Sequence, residues 1–358
     1  MINVTKSYFP ERRRLNEYTD RIYDSGWMTN NGQLLLELEQ RLKEYLGVEY
    51  VVLVSNGTLA LQIAYHVLGI KNEVITTPFS FVATTNSLLW ENLTPVFVDI
   101  HPSTFNIDPC KIVKAITPKT SAVLPVHVFG NACEVQELET ICRENKLKLI
   151  FDAAHAFNVN DGERNILTYG DASTLSFHAT KIFHTIEGGA IILRNEEQYH
   201  KAKLLINFGI SSYDKVDLPG INCKMNEFQA AMGLAVLDEF EQLSLRRKNV
   251  WERYWASFSA MEHIQLQKLN TRFGNNYSYF PVVFDSEKQL LDIKTKLNNE
   301  EIYPRRYFYP SLNELDYLDH TASCPVSESL SLRILCLPMF PDLDETDQDR
   351  IIRIVSEN

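Results

Sequence analysis

From Val51 to Asp152 the sequence repeats one pattern: a short, nearly unbroken apolar run, a turn, and a longer stretch with apolar residues at helical spacing. The runs are VVLV, EVITT, PVFVDI, SAVLPVHV and KLKLIFD, and between them lie TLALQIAYHVLG, FVATTNSLLWE, DPCKIVKAI and CEVQELETICREN. A strand with one face in water alternates apolar and polar residues, whereas a strand covered on both faces does not. Nearly continuous apolar strands joined by helices therefore predict an α/β fold, a mostly parallel sheet with helices on both faces. In the last of these helices Val135, Leu138 and Cys142 share a face. Upstream, Leu35, Leu38, Leu42 and Tyr45 recur at helical spacing in a helix expected to stop at Gly47.

From Met225 the pattern changes. One long helix is expected, with Phe228, Met232, Val236, Phe240 and Leu243 on a stripe, followed by the charged RRK and the aromatic WERYWASF. Beyond Ala260 come shorter strands (SYFPVVF), a helix (EKQLLDIKTKLNNE) and a loop rich in Pro and Tyr. The chain is thus expected to divide into a large domain, 1–235, and a smaller C-terminal α+β domain, 236–358.

With 358 residues and a formal charge of −11, the chain can bury a sizeable core and lacks the basic field of a nucleic-acid or acidic-membrane binder. Any anionic ligand needs a locally basic pocket. The start MINVTKSYFPERRRL has no apolar leader segment, and no window approaches the roughly 18 apolar residues of a membrane span, so a cytoplasmic protein is expected. The six cysteines fall at irregular spacing without a CxxC pair, which predicts reduced thiols packed in the interior and no metal site.

The chemistry concentrates between Phe151 and Gly189. In open α/β sheets ligands bind outside the carboxyl ends of the strands. Asp152 ends the run KLIFD, and Lys181 follows the run STLSF after a short turn. A lysine in such a crevice can form a Schiff base if burial keeps part of its amine neutral. A carboxylate one strand over can hold a pyridinium nitrogen protonated, which makes the ring an electron sink. The pair describes a pyridoxal phosphate site.

The segments DAAHAF, GD, SFHATK and EGGAI resemble the DegT/DnrJ/EryC/StrS family of nucleotide-sugar aminotransferases, which have the aspartate aminotransferase type of fold. So do SGWMT, SNGTLAL, TPFSFVATTNSLLW, PVFVDI, PVHVFGNAC, NCKMNEFQAAMGL and LCLPMFPDL, in order along nearly the whole chain. The resemblance implies that Lys181 is the Schiff-base lysine and proton shuttle, with Asp152 on the pyridine nitrogen. It implies that His155 lies at the phenolic oxygen and that Phe81 stacks on the ring. Gly57 and Thr58, at the start of a helix where free N–H groups meet the positive helix end, are implied at the phosphate, with Ser176 adding a hydroxyl. Asn222 is implied to reach the phosphate of a neighbouring subunit, hence a homodimer with shared active sites. The family usually reads Asn-Tyr-Arg-Met there, whereas this chain has Asn222, Cys223, Lys224 and Met225, so no role is carried over to Lys224. His178 stays outside the catalytic set, and Gly188 and Gly189 read as conformational glycines of a tight turn.

In the C-terminal loop IYPRRYFYPSL, Arg305 and Arg306 stand beside Tyr307, Phe308 and Tyr309; the guanidinium groups suit a diphosphate, and the tyrosines suit stacking or hydrogen bonding with a sugar or base. The family often carries His where this chain has Phe308. By resemblance, L-glutamate is the amino donor, leaving pyridoxamine phosphate, and the acceptor is a nucleotide-linked keto-deoxysugar, dTDP-4-keto-6-deoxyglucose ahead of a 3-keto sugar. The product then serves O-antigen or another surface glycan. Two other readings stand beside this one: a cofactor-binding regulator without turnover, and an anion-binding scaffold. Relatives that deoxygenate sugars replace the lysine by histidine, and Lys181 speaks against that chemistry.

Overall fold

The computed structural model describes residues 1–318 and 322–357. A short strand β1 (Ile2–Asn3) opens the chain, followed by helices α1 (Arg12–Ser25) and α2 (Gln33–Leu46). The central sheet is built from β2 (Tyr50–Val54), β3 (Glu73–Thr76), β4 (Thr94–Phe97), β5 (Thr120–Leu124), β6 (Lys148–Asp152), β7 (Ala172–Ser176) and β8 (Gly189–Leu193). Between them run α3 (Gly57–Leu68), α4 (Val82–Trp90), α5 (Pro109–Ala115) and α6 (Val135–Asn145), and α7 (Glu196–Leu205) follows β8. The strands lie in the order β2-β8-β7-β6-β5-β3-β4. Only β8 runs antiparallel to its neighbours; the other pairs are parallel.

Alternate residues of each strand point to opposite faces, and the sheet feeds two separate cores. Val51, Leu53, Leu149, Phe151 and Leu175 pack on one side with α2, α6 and α8 (Glu227–Asp238). Val52, Val54, Ile150, Ala172 and Ile191 pack on the other with α3 and α7. Both faces are apolar because both are covered, which is why the strands read as continuous runs. Gly47 ends α2 in the left-handed conformation at φ 62°, where a side chain would be strained.

The single long helix expected from Met225 is two helices, α8 and α9 (Phe240–Phe258), broken at Glu239 (φ −109°, ψ 1°). The break sits where side chains of the N-terminal helices fasten on: Arg14 reaches Asp238 at 3.3 Å and Glu239 at 3.0 Å, and Arg41 reaches Asp238 at 2.7 Å. Phe228 is 39% exposed, not part of a buried stripe. Its neighbour Glu227 is buried in its place, because its carboxylate accepts the N–H groups of Leu34 and Leu35 at 2.9 Å and caps α2. Apolar spacing could not show that a carboxylate fills a core position. Before α8 a hairpin forms from β9 (Ile210–Ser212) and β10 (Lys215–Val216).

The C-terminal part carries β11 (Gln265–Leu266), β12 (Pro281–Val283), α10 (Glu287–Asn299), β13 (Ile302–Tyr303), α11 (Pro325–Arg333), β14 (Ile334–Cys336) and α12 (Glu345–Ser356). Strands β11, β12 and β14 form an antiparallel sheet, and β13 pairs in parallel with β1. Its core takes Val250, Tyr254 and Phe258 from α9 and also Ile2, while Leu243 of the same helix still belongs to the large core. Position 235 therefore lies inside α8, and the change of core falls within α9. Five of the cysteines are buried free thiols, as expected, but Cys110 in the first turn of α5 is exposed.

Candidate active site

Strand register decides where the site forms. Val54 and Ser176 both pair with Gly189, and Asp152 pairs with Thr174, so the carboxyl ends of β2, β7 and β6 meet at one edge of the sheet. A cavity of about 290 Å³ opens there. It brings together Gly57, Thr58, Phe81, Asp152, His155, Ser176, Lys181 and Arg305. Asn222, Arg306 and Tyr309 do not line it.

Asp152 is buried, and each carboxylate oxygen has a fixed donor: the Thr84 hydroxyl at 2.8 Å and the Ala154 N–H at 3.1 Å. Ser80 sits 2.7 Å behind Thr84, completing a hydroxyl relay onto the carboxylate. Burial pushes the Asp152 carboxyl up, against the pull of Thr84, Ala154 and Lys181. Lys181 is half-buried, and loss of solvent lowers its amine to about 8, with Asp152 pulling the other way. His155 is also buried; its Nδ1 accepts the Phe129 N–H at 3.2 Å, which leaves the proton of the neutral ring on Nε2. Burial, then Lys181, hold its pKa well below the usual value.

At the other end of the cavity α3 begins. Asn56 takes the Leu59 N–H with its side chain at 2.9 Å, while Gly57 and Thr58, whose N–H groups have no partner within the helix, line the cavity. A Cβ on Gly57 would stand 2.9 Å from the Ser176 Cβ, so glycine is needed to bring the helix start against that hydroxyl. Phe81, just before α4, is 49% exposed with its ring at the cavity. Gly188 and Gly189 do not have positive φ. A Cβ on Gly188 would overlap the Thr185 hydroxyl, and one on Gly189 would come within 2.7 Å of the Asn56 backbone. They provide room, not an unusual conformation.

These residues fit pyridoxal phosphate. The helix start with its glycine contact and Ser176 make an anion cradle. Asp152 is a buried carboxylate that feels Lys181 but makes no direct ion pair among the described residues, Phe81 offers an aromatic face, and Lys181 is an amine poised between charged and neutral. Lys181 could hold the aldehyde carbon, Asp152 the ring nitrogen, His155 the phenolic oxygen, and Gly57, Thr58 and Ser176 the phosphate.

The two arginines of the C-terminal loop part company. Arg305 lines the cavity with its guanidinium 4.6 Å from the Tyr307 ring centroid. Arg306 turns away: it meets Glu287 at 2.8 Å and the carbonyls of Ser331 and Leu332 at 3.4 and 3.2 Å, and it lies over Tyr309. Asn222 is exposed in a bridge to Asn207, outside the cavity. Phe308 fills an aromatic cluster with Phe79 and Phe129. Tyr307, of the same loop, lines the cavity; sequence reasoning missed Thr84 and Tyr279. Thr84 stood within the quoted TPFSFVATT segment, but nothing in the spacing of a helix says which hydroxyl reaches a strand 68 residues away.

The chain is 41% identical to a dTDP-4-amino-4,6-dideoxy-D-glucose transaminase of Shigella dysenteriae, over 99% of this chain and 98% of that one. The crystal structure of DesI in the presence of its TDP-sugar product superposes with a TM-score of 0.93 at 34% identity, covering 99% of this chain and 92% of that one. NtdA from Bacillus subtilis with bound cofactor PMP superposes with a TM-score of 0.89 at 30% identity, covering 96% and 81%. The family model for the DegT/DnrJ/EryC1/StrS aminotransferases matches residues 11–356. The chain belongs to that family and is a pyridoxal-phosphate-dependent aminotransferase.

Proposed function

We propose that the chain moves an amino group from L-glutamate to dTDP-4-keto-6-deoxyglucose, giving dTDP-4-amino-4,6-dideoxyglucose for a surface glycan such as O-antigen. The observation that carries the chemistry is the single cavity holding Lys181, Asp152 and the α3 cradle together. The relative named for the dTDP-linked 4-amino sugar supports the substrate. Bound there, pyridoxal phosphate supplies an electron sink for the C–H bond next to the transferred nitrogen. Lys181 takes that proton and returns it, Asp152 keeps its charge near the ring nitrogen, and His155 donates from Nε2. Phe81 covers one face, and Arg305 with Tyr307 receives the diphosphate end of the sugar nucleotide.

In this reading the active unit is a cytoplasmic homodimer in which Asn222 of one subunit completes the phosphate site of the other. Its exposed position outside its own cavity is compatible with that role. No helix among the described residues is long and apolar enough to cross a membrane. The large domain holds the cofactor and the C-terminal one supplies the substrate loop.

The test is direct. Purified protein loaded with cofactor and glutamate is offered dTDP-, UDP- and GDP-linked 4-keto and 3-keto sugars, and products are identified by mass spectrometry and NMR. Fastest turnover is expected with the dTDP-4-keto sugar; preference for a 3-keto sugar would sink the substrate assignment and leave the class intact.

A further inference from the structure

Lys181 has one side-chain partner that no part of its own sheet supplies. The Tyr279 hydroxyl lies 3.3 Å from its Nζ. The tyrosine comes from the segment that enters β12, on the far side of the cavity, and its ring is boxed by His155 at 4.7 Å, Phe129 at 5.4 Å and Tyr307 at 5.8 Å between centroids. The backbone that carries it is held unusually tightly. Asn276 donates to the carbonyls of His155 and Phe157 at 2.8 and 3.0 Å, and Ser278 donates to the same His155 carbonyl at 3.1 Å. Arg247, buried in α9, donates to the carbonyls of Tyr277 and Ser278 at 3.0 and 2.7 Å. Between these anchors Tyr277 sits at φ 57°, a left-handed conformation that a tyrosine adopts only under constraint.

A buried arginine, two polar side chains and a strained residue are a costly way to place one aromatic ring. What the placement achieves is a rigid hydroxyl against the end of a flexible four-carbon chain. We infer that Tyr279 is a positioning residue for the reaction: its hydroxyl fixes the direction of the Lys181 Nζ lone pair while the amine is free to take and return the substrate proton. Burial keeps the phenol protonated, so no bond to Tyr279 forms or breaks. The hydroxyl oxygen accepts an N–H from Nζ whether the amine is charged or neutral, and in the neutral amine this leaves the lone pair directed away from Tyr279 and open to the substrate proton. Proton transfer depends steeply on such alignment.

The inference rests on Lys181 being the reactive amine. Tyr279→Phe keeps the ring contacts and removes only the hydroxyl. In the cofactor-free protein, Lys181 is expected to undergo reductive methylation about tenfold faster at high pH, read by mass spectrometry of its peptide, because a hydrogen bond that restrained it is gone. In the loaded enzyme the glutamate half-reaction is expected to slow about tenfold with unchanged KM. The isotope effect from glutamate deuterated at the reacting carbon is expected to rise. Ser278→Ala, which loosens the support and keeps the hydroxyl, should move each readout in the same direction by less. Wild-type labelling and an unchanged isotope effect in Tyr279→Phe would overturn the assignment. Lys181→Ala is run alongside: turnover that survives it removes the reading of Lys181 itself, whereas an inactive Lys181→Ala with a silent Tyr279→Phe removes only the role of Tyr279.

Discussion

The two walls of the cavity are made differently. On the large-domain side, Asp152 and Ser176 are the last residues of paired strands, and Gly57 is the first of a helix wedged against one of them. Their positions follow from strand register, which cannot drift without moving the core. On the other side, Arg305 and Tyr307 sit on a loop tied to the small sheet by a backbone bridge between Arg305 and Cys336. The first wall is suited to chemistry that tolerates no displacement, and the second to recognising a ligand that differs from relative to relative. Substitutions on the first wall should therefore damage both half-reactions, and those at Arg305 and Tyr307, which do not touch Lys181, only the one that uses the sugar.

The largest effect is expected at Lys181. Lys181→Ala should reduce transamination by at least about 10⁴-fold while leaving the fold and assembly unchanged, because both proton transfers lose their base. Single-turnover kinetics with glutamate, alongside size-exclusion chromatography, decide it. Substantial residual turnover would break the contrast between the walls at its strongest point. Asp152→Asn comes next. The amide keeps the shape and, with its oxygen still accepting from the Ala154 N–H and its NH2 donating to the Thr84 hydroxyl, both neighbours, but not the charge, so cofactor should remain bound while both half-reactions slow about 10²- to 10³-fold. Rates equal to wild type would place the ring-nitrogen partner elsewhere.

The two walls were not equally legible in the sequence. The strands β2 to β6 stood out as apolar runs because the sheet is covered on both faces, and Asp152 could be read as the end of one of them, whereas Gly57 at a phosphate was implied by the family resemblance. The reversed strand β8, inserted between β2 and β7, leaves no local mark, because an antiparallel strand buried on both sides reads like a parallel one. Nor does sequence say that β1 joins the small unit, since its partner β13 lies 300 residues on. The break at Glu239 and the burial of Glu227 arise from contacts with α1 and α2, which no window along α8 contains. On the second wall, adjacent arginines in a loop look alike, and only the fold shows that one faces the cavity and the other the protein.

That last difference gives the finest test. Arg305→Ala should raise the KM for the sugar nucleotide about 10- to 100-fold with the glutamate half-reaction unchanged, because a guanidinium facing a diphosphate acts in binding and not in proton transfer. Arg306→Ala should leave that KM within about threefold of wild type, since its guanidinium is committed to Glu287 and to carbonyls at the end of α11. Its cost should appear in stability, about 1–3 kcal/mol in chemical denaturation, because the side chain is only 12% exposed and its removal strands those acceptors. If instead both variants raised the sugar KM equally, the loop would have to turn Arg306 inward when substrate binds, and the second wall would be a moving part, not a fixed one.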